Sequence, residues 1–214
     1  MPRTTRPTDV EPHMTTARDL AIVALDVAAD KPVEQGDLSL ALAGAEVFDL
    51  IEAKALVLDD DRIRPSAQSP TGDRLLDQAA AALVRQEPYE SVEEWLWRRG
   101  RGLSSAYVDD MERIGLTTRS KGRRIPLPTG RTVLVDSAAR SAATDRWAAG
   151  EPVLTALAAA AGIGDEPAED TEELAGDAAT AVLAAVGDAV MELEGVRQRK
   201  AIEDAAFDNV WRGY

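Results

Sequence analysis

Histidine occurs once in this 214-residue chain, at position 13, and cysteine does not occur at all. A Ser-His-Asp triad, a Cys-His pair, thiolate zinc and disulfides are therefore excluded beyond His13. No Gly-rich loop ending in Lys-Ser or Lys-Thr follows a strand-like run, so a phosphate-cradling P-loop is absent too. Carboxylates abound, but they spread over helix-like segments and nothing selects an acid–base pair. Asp59-Asp60-Asp61 gathers three acids without the central Gly and closing Glu of an EF-hand loop, and reads as a hairpin turn. What remains with chemistry to offer is arginine. Residues 98–146 hold 11 Lys and Arg against 5 acids, a local excess of +6 in a chain of net charge −14. Ten of those cations are Arg, whose planar fork suits phosphate oxygens better than a point charge. The candidate anion ligands are Arg98, Arg99, Arg101, Arg119, Lys121, Arg123, Arg124 and Arg131. The plainer reading of the same window is a solvated face that pairs with the acidic helices around it.

The rest of the chain must then carry −20, which argues against a generic nucleic-acid footprint. An anionic bilayer is a better match for a local basic zone. Each cation near such a surface gains about 1 kcal/mol, decaying over a Debye length of about 8 Å. Ile125, Leu127, Val133 and Leu134 are apolar residues within the zone, read as hairpin core or as a shallow membrane probe. No apolar run reaches the roughly 20 residues of a spanning helix. Met1 to His13 is polar, holds three prolines and reads as a disordered lead, with Met14 a second candidate start.

The elements that must position these arginines follow from periodicity. Thr15-Thr16 caps a helix through Ala29, and Leu40, Ala43, Val47, Leu50 and Ile51 mark a core helix from Gly36 to Lys54. Ala55–Leu58 and Arg62–Arg64 form a hairpin, and Pro70-Thr71-Gly72-Asp73 opens a helix through Gln86. Ser91 with Glu94 is a capping box for a short helix bearing Trp95 and Trp97, which Gly100 and Gly102 break. A helix from Leu103 to Ile114 ends at Gly115, and Leu116 to Val135 reads as a cationic β-meander. Helices at Ser137–Ala148 and Pro152–Ala161 follow, then a long Ala-rich one over Thr171–Glu194 and a separate amphipathic piece over Val196–Trp211. Short connections make residues 15–214 one mainly α-helical domain with small β-hairpins.

The sequence resembles the Golgi phosphoprotein 3 family, including its bacterial, largely actinobacterial, members. The resemblance rests on Leu42-Ala43-Gly44-Ala45 to Asp49-Leu50, on Leu56-Val57-Leu58-Asp59, and on Ser69-Pro70-Thr71-Gly72-Asp73 with Leu75-Leu76-Asp77. Gly115-Leu116-Thr117-Thr118 and Asp145-Arg146-Trp147 extend it, so that it spans nearly the whole chain. It implies a helical-bundle core ringed by amphipathic helices, with a membrane-touching hairpin at Lys121 through Val135. It also implies peripheral binding of phosphatidylinositol 4-phosphate through a Trp, an Arg shortly after it and two Arg on a later helix. Those positions fall near Glu34, on Ala43, and on Arg101 and Ser104, so only Arg101 keeps the family's residue type.

The expected function is a non-enzymatic, cofactor-free lipid- or anion-binding adaptor, cytoplasmic or peripheral at the inner face of the cell membrane. Its partner is an anionic lipid headgroup or another phosphate ligand, with a protein partner and a homo-oligomer left open. One alternative is a winged-helix-like DNA-binding regulator, since two helices and a hairpin come in that order. Another is a protein-interaction scaffold whose acidic C-terminal helices dock a basic partner.

Overall fold

An apolar helix with no polar face has to be surrounded. Residues 40–45, Leu-Ala-Leu-Ala-Gly-Ala, meet that condition at the middle of a longer helix, and the computed structural model builds the molecule around it. It describes residues 15–27, 33–66, 70–119, 132–164 and 176–211. The element order is α1 (Thr16–Val27), α2 (Gln35–Glu52), β1 (Leu56–Asp59), β2 (Arg62–Pro65), α3 (Arg74–Ala82), α4 (Val92–Arg99) and α5 (Leu103–Arg113). There follow β3 (Thr117–Arg119), β4 (Thr132–Leu134), α6 (Ala138–Ala148), α7 (Pro152–Ala160) and α8 (Asp177–Trp211). In α2 every residue from Ser39 to Val47 is buried, and so are Asp49 and Leu50. Helices α1, α3, α4, α5, α7 and α8 and strand β1 all pack against it. The periodic face read from the sequence is thus only part of its buried surface, since Ala41, Leu42 and Ala45 are enclosed as well.

Close approach at the centre depends on one missing side chain. A Cβ on Gly44 would collide with Val186 of α8, with Leu157 Cδ2 at 3.5 Å and Val182 Cγ1 at 3.6 Å behind it. The crossing of α2, α7 and α8 is set at that residue.

Two acidic side chains on α2 are buried with it, and each has found partners, as burial requires. Asp49 accepts the amide hydrogens of Thr16 at 2.8 Å and Ala17 at 3.0 Å, so one helix caps the start of another. Burial pushes the Asp49 carboxyl up to about 7, against the pull of those two amides. Glu46 pairs with α4 and α5. Local signals close most other helices as read. Asp73 accepts from Leu75 and Leu76, Ser91 and Glu94 form the reciprocal box, and Ser137 accepts from Arg140.

Three expectations need correction. Helix α3 stops at Ala82 rather than Gln86, because Leu83 turns extended and buries its side chain. The two C-terminal helices are one helix, α8: Gly187 and Gly195 lie inside it, where their cost of about 1 kcal/mol each is small beside the good helix formers around them. The winged-helix reading fails, because its recognition helix would be α2, which is buried among seven other elements and unable to reach a groove.

The hairpins appear where expected. Strands β1 and β2 pair from Leu56↔Pro65 to Asp59↔Arg62, and Asp60 takes a left-handed turn position. Strands β3 and β4 pair from Thr117↔Leu134 to Arg119↔Thr132. Leu134 enters the core and Val133 faces out, while the middle piece of the meander, with Ile125 and Leu127, lies outside the described residues.

Gly44→Val should lower stability in a urea titration by about 2 kcal/mol or more, through overpacking. Gly187→Ala, whose added Cβ meets nothing within 4 Å, should raise it by about 0.5–1 kcal/mol. Asp49 gives a pH signature. Folded, it holds its proton to about pH 7, while an unfolded Asp releases it near the ordinary value of 3.8. The folded state therefore binds more protons in that window, and this group's contribution to stability falls as pH rises through it. Asp49→Asn should flatten that slope, measured as unfolding midpoint against pH.

Candidate anion-binding site

The expected arginine ligands divide by what lies opposite each of them. Arg98, at the end of α4, is held by both oxygens of Glu90 at 2.6 and 2.7 Å, donates to the Ala82 carbonyl, and lies 5.2 Å from the centre of the Trp95 ring. Hydrogen bonding to Glu90 raises its already high pKa, so it stays charged and occupied.

Arg99 is more deeply committed. Its fork meets both oxygens of Glu46 at 2.7 Å, and Glu46 is fully buried and also accepts the Tyr107 hydroxyl hydrogen at 3.2 Å. Burial pushes the Glu46 carboxyl up, and the Arg99 and Tyr107 bonds draw it back. This bidentate pair ties α2 to α4 and α5. Arg119 is different again: it faces Glu112 at 3.0 Å and Asp109 at 3.7 Å on an exposed surface, where such pairs are worth little.

The other arginines of the basic window also meet carboxylates. Arg113 joins Asp110, which is shared with Arg74 and Arg18. Burial pushes the Asp110 carboxyl up, but the Arg74 and Arg113 bonds outweigh it and hold the group below the usual range. Arg140 meets Asp26 and Asp136, and Arg146 meets Asp19 at 2.5 Å and Glu151 at 3.2 Å. Lys121, Arg123, Arg124 and Arg131 lie outside the described residues.

Arg101 stands apart. It is exposed and makes no ion pair among the described residues. It occupies the break between α4 and α5, where Gly100 and Gly102 take the chain through a sharp change of direction. Gly100 has to be Gly: a Cβ there would sit 2.6 Å from the Leu96 carbonyl oxygen and 3.3 Å from that of Ser39. Gly102, with φ of +71°, opens α5 from the left-handed region.

A cavity of about 260 Å³ lies beside this break, lined by Arg101, Trp97, Gln35, Ser39, Ser104 and Ser105 among others. Its floor is fixed by a serine bridge. Ser39 Oγ donates to the Gln35 carbonyl at 2.7 Å, lies 3.0 Å from Ser104 Oγ and accepts the Ser104 amide hydrogen at 3.1 Å. The positive end of the α5 dipole and one free guanidinium therefore face the same space, next to an aromatic ring and small hydroxyls. That combination suits a phosphate or a phosphorylated headgroup.

The positions carried over by resemblance map unevenly onto this cavity. Arg101 and Ser104 line it. Ala43 does not: it is fully buried one turn further along α2, where its carbonyl accepts the Trp95 indole hydrogen at 3.1 Å. Glu34 is exposed at the start of α2, beside the Arg197 that Asp37 holds. Residue reasoning missed Gln35, Ser39, Trp97 and Ser105 as lining groups. The usable signal was Trp97-Arg98-Arg99-Gly100-Arg101-Gly102, an aromatic and a cation on either side of a helix break.

A family model described as Golgi phosphoprotein 3 (GPP34) matches residues 17–205. No curated protein matches the chain. No described helix is long and apolar enough to cross a membrane.

Replacing Arg99 by Ala should cost roughly 3–5 kcal/mol of unfolding free energy, because it strands the buried Glu46 carboxylate. Arg101→Ala should stay within about 0.5 kcal/mol of the parent. Paired chemical-denaturation curves would separate the structural arginine from the free one.

Proposed function

Since the chain belongs to the Golgi phosphoprotein 3 family, we propose that it is a non-enzymatic peripheral protein that binds an anionic lipid headgroup of the phosphatidylinositol 4-phosphate class. The observation that carries this reading is Arg101, a guanidinium with no ion pair among the described residues, beside a cavity that also presents Trp97, three serines and the start of α5. In a molecule where the neighbouring arginines are spent on carboxylates, an unspent one beside a cavity edged by hydroxyls has a ligand as its natural complement.

The recognition differs from the arrangement implied by family resemblance. The aromatic wall comes from Trp97 on α4 instead of a residue near Glu34, and hydroxyl groups stand where a second guanidinium would be. A single phosphate contact is weak by itself. Lys121, Arg123, Arg124 and Arg131, which the sequence places between β3 and β4, supply further cations for a second contact with an anionic surface. Exposed Val133 and Val135 beside them add a small apolar edge. On this reading the protein works at the cytoplasmic face of a membrane and leaves it when the salt concentration rises.

The test is co-sedimentation of the full chain with vesicles of neutral lipid, of neutral lipid with phosphatidylserine, and of neutral lipid with phosphatidylinositol 4-phosphate. Binding should require an anionic component. Arg101→Glu should weaken it by roughly tenfold or more, since each surface charge is worth about 1 kcal/mol. A further loss is expected when Arg123 and Arg124 are also replaced by Glu. Retention of all vesicle binding in Arg101→Glu would sink the pocket assignment, and failure to bind any anionic vesicle would sink the function.

A further inference from the structure

The C-terminal half of α8 runs past the core with one face uncovered. Its inner face packs through Ala179, Val182, Val186 and Ala189, and Leu193 and Arg197 fasten it to the start of α2 at Gly36 and Asp37. Met191, Gly195, Gln198 and Ile202 follow at steps of four, three and four residues, and so form a stripe on another face. Met191 is 75% exposed and Ile202 70% exposed, and a Cβ on Gly195 would meet nothing within 4 Å.

The charges beside this stripe are arranged in mirrored order. Met191-Glu192-Leu193-Glu194-Gly195-Val196 is followed by Arg197-Gln198-Arg199-Lys200-Ala201-Ile202, acid first and base second, with an apolar residue at each end. Glu192 and Arg199 border the stripe on the same side, and neither makes an ion pair among the described residues. They are two turns apart, about 10 Å along the axis, too far to neutralise each other within the helix.

We propose that this face of α8 binds a second copy of the same chain, as an antiparallel helix pair with its two-fold axis near Val196 and Arg197. In that register Met191 packs on the partner's Ile202, Gly195 lets the backbones approach beside the partner's Gln198, and Glu192 meets the partner's Arg199. The symmetry makes each contact twice. The surroundings favour the same partner: Glu192 borders a groove of about 420 Å³ that also presents Asp60, Asp61, Glu93 and Asp188, an acidic setting for the partner's Arg199. Leu193, which lines the Arg101 cavity, lies on the opposite side of α8 from the stripe, so pairing leaves that cavity open.

The contact is short, about 16 Å between Met191 and Ile202, and so falls below the area of a permanent dimer. A reversible dimer with a dissociation constant in the micromolar range or weaker is expected. Sedimentation velocity of the full chain over a concentration series tests it, with circular dichroism to check that each variant keeps its helix. The parent should show a monomer–dimer equilibrium that raised salt weakens. Glu192→Arg and Arg199→Glu should each weaken self-association by roughly tenfold or more, because each sets like charges opposite one another. An equimolar mixture of the two variants should associate again, as the reversed charges then complement across the pair. Ile202→Glu should leave a monomer. A parent that stays monomeric throughout, single reversals that dimerise as the parent does, or a mixture no better than its components would each overturn the proposal.

Discussion

Burying a carboxylate is costly unless something replaces its water, and this fold buries two on its central helix. Glu46 and Asp49 lie three residues apart on α2, within a segment, Leu40 to Leu50, that is otherwise Leu, Ala, Val, Phe and Gly. Each is satisfied by a different neighbour: Glu46 by the Arg99 fork and Tyr107, Asp49 by the first amides of α1. These bonds determine where α1, α4 and α5 sit on α2, because an apolar surface alone would allow the helices to slide. Non-directional burial holds the bundle together, and the two acids specify its register.

The same logic extends outward. Arg18 reaches Asp73, the cap of α3, and approaches Asp110 on α5, which also takes Arg74 and Arg113. Arg146 ties α6 to Asp19 on α1 and to Glu151, the cap of α7. Burial raises the Asp19 carboxyl, and the Arg146 bond opposes it. Several helix starts are therefore joined to neighbouring helices through carboxylates that cap or receive an arginine. A family of Ala-rich helices with few aromatics, and so little shape to interlock, gains its angular definition from such pairs.

The fold was legible in sequence where the signal was local. Capping residues, the glycine stop at Gly115 and the turn between β1 and β2 lie within a few residues of what they control. The centrality of α2 was legible in part, since an all-round apolar helix must be enclosed, but its neighbours were not. The break at Leu83 was missed because it answers to a tertiary demand, the burial of one side chain. Continuity through Gly195 was missed because Gly is a signal for a break only where the flanking residues are weak helix formers. At the candidate site, Arg101 was legible, while Gln35 and Ser39 lie more than sixty residues away in sequence and enter only through the packing of α2 on α5.

Arginine enrichment has two physical explanations with the same composition. A planar fork suits phosphate, and it suits a buried carboxylate equally well. In the basic window the structure gives the second use to Arg98, Arg99, Arg113 and Arg146, all on regular helices facing a buried acid, while Arg140 pairs with the more exposed Asp26 and Asp136. Arg101 escapes for a geometric reason. It lies between Gly100 and Gly102, where the chain leaves the axis of α4 before α5 begins, and no carboxylate among the described residues pairs with it. The excess of positive charge in the sequence therefore measures structural pairing more than ligand capacity. The functional information lies in which cation the pairing leaves out.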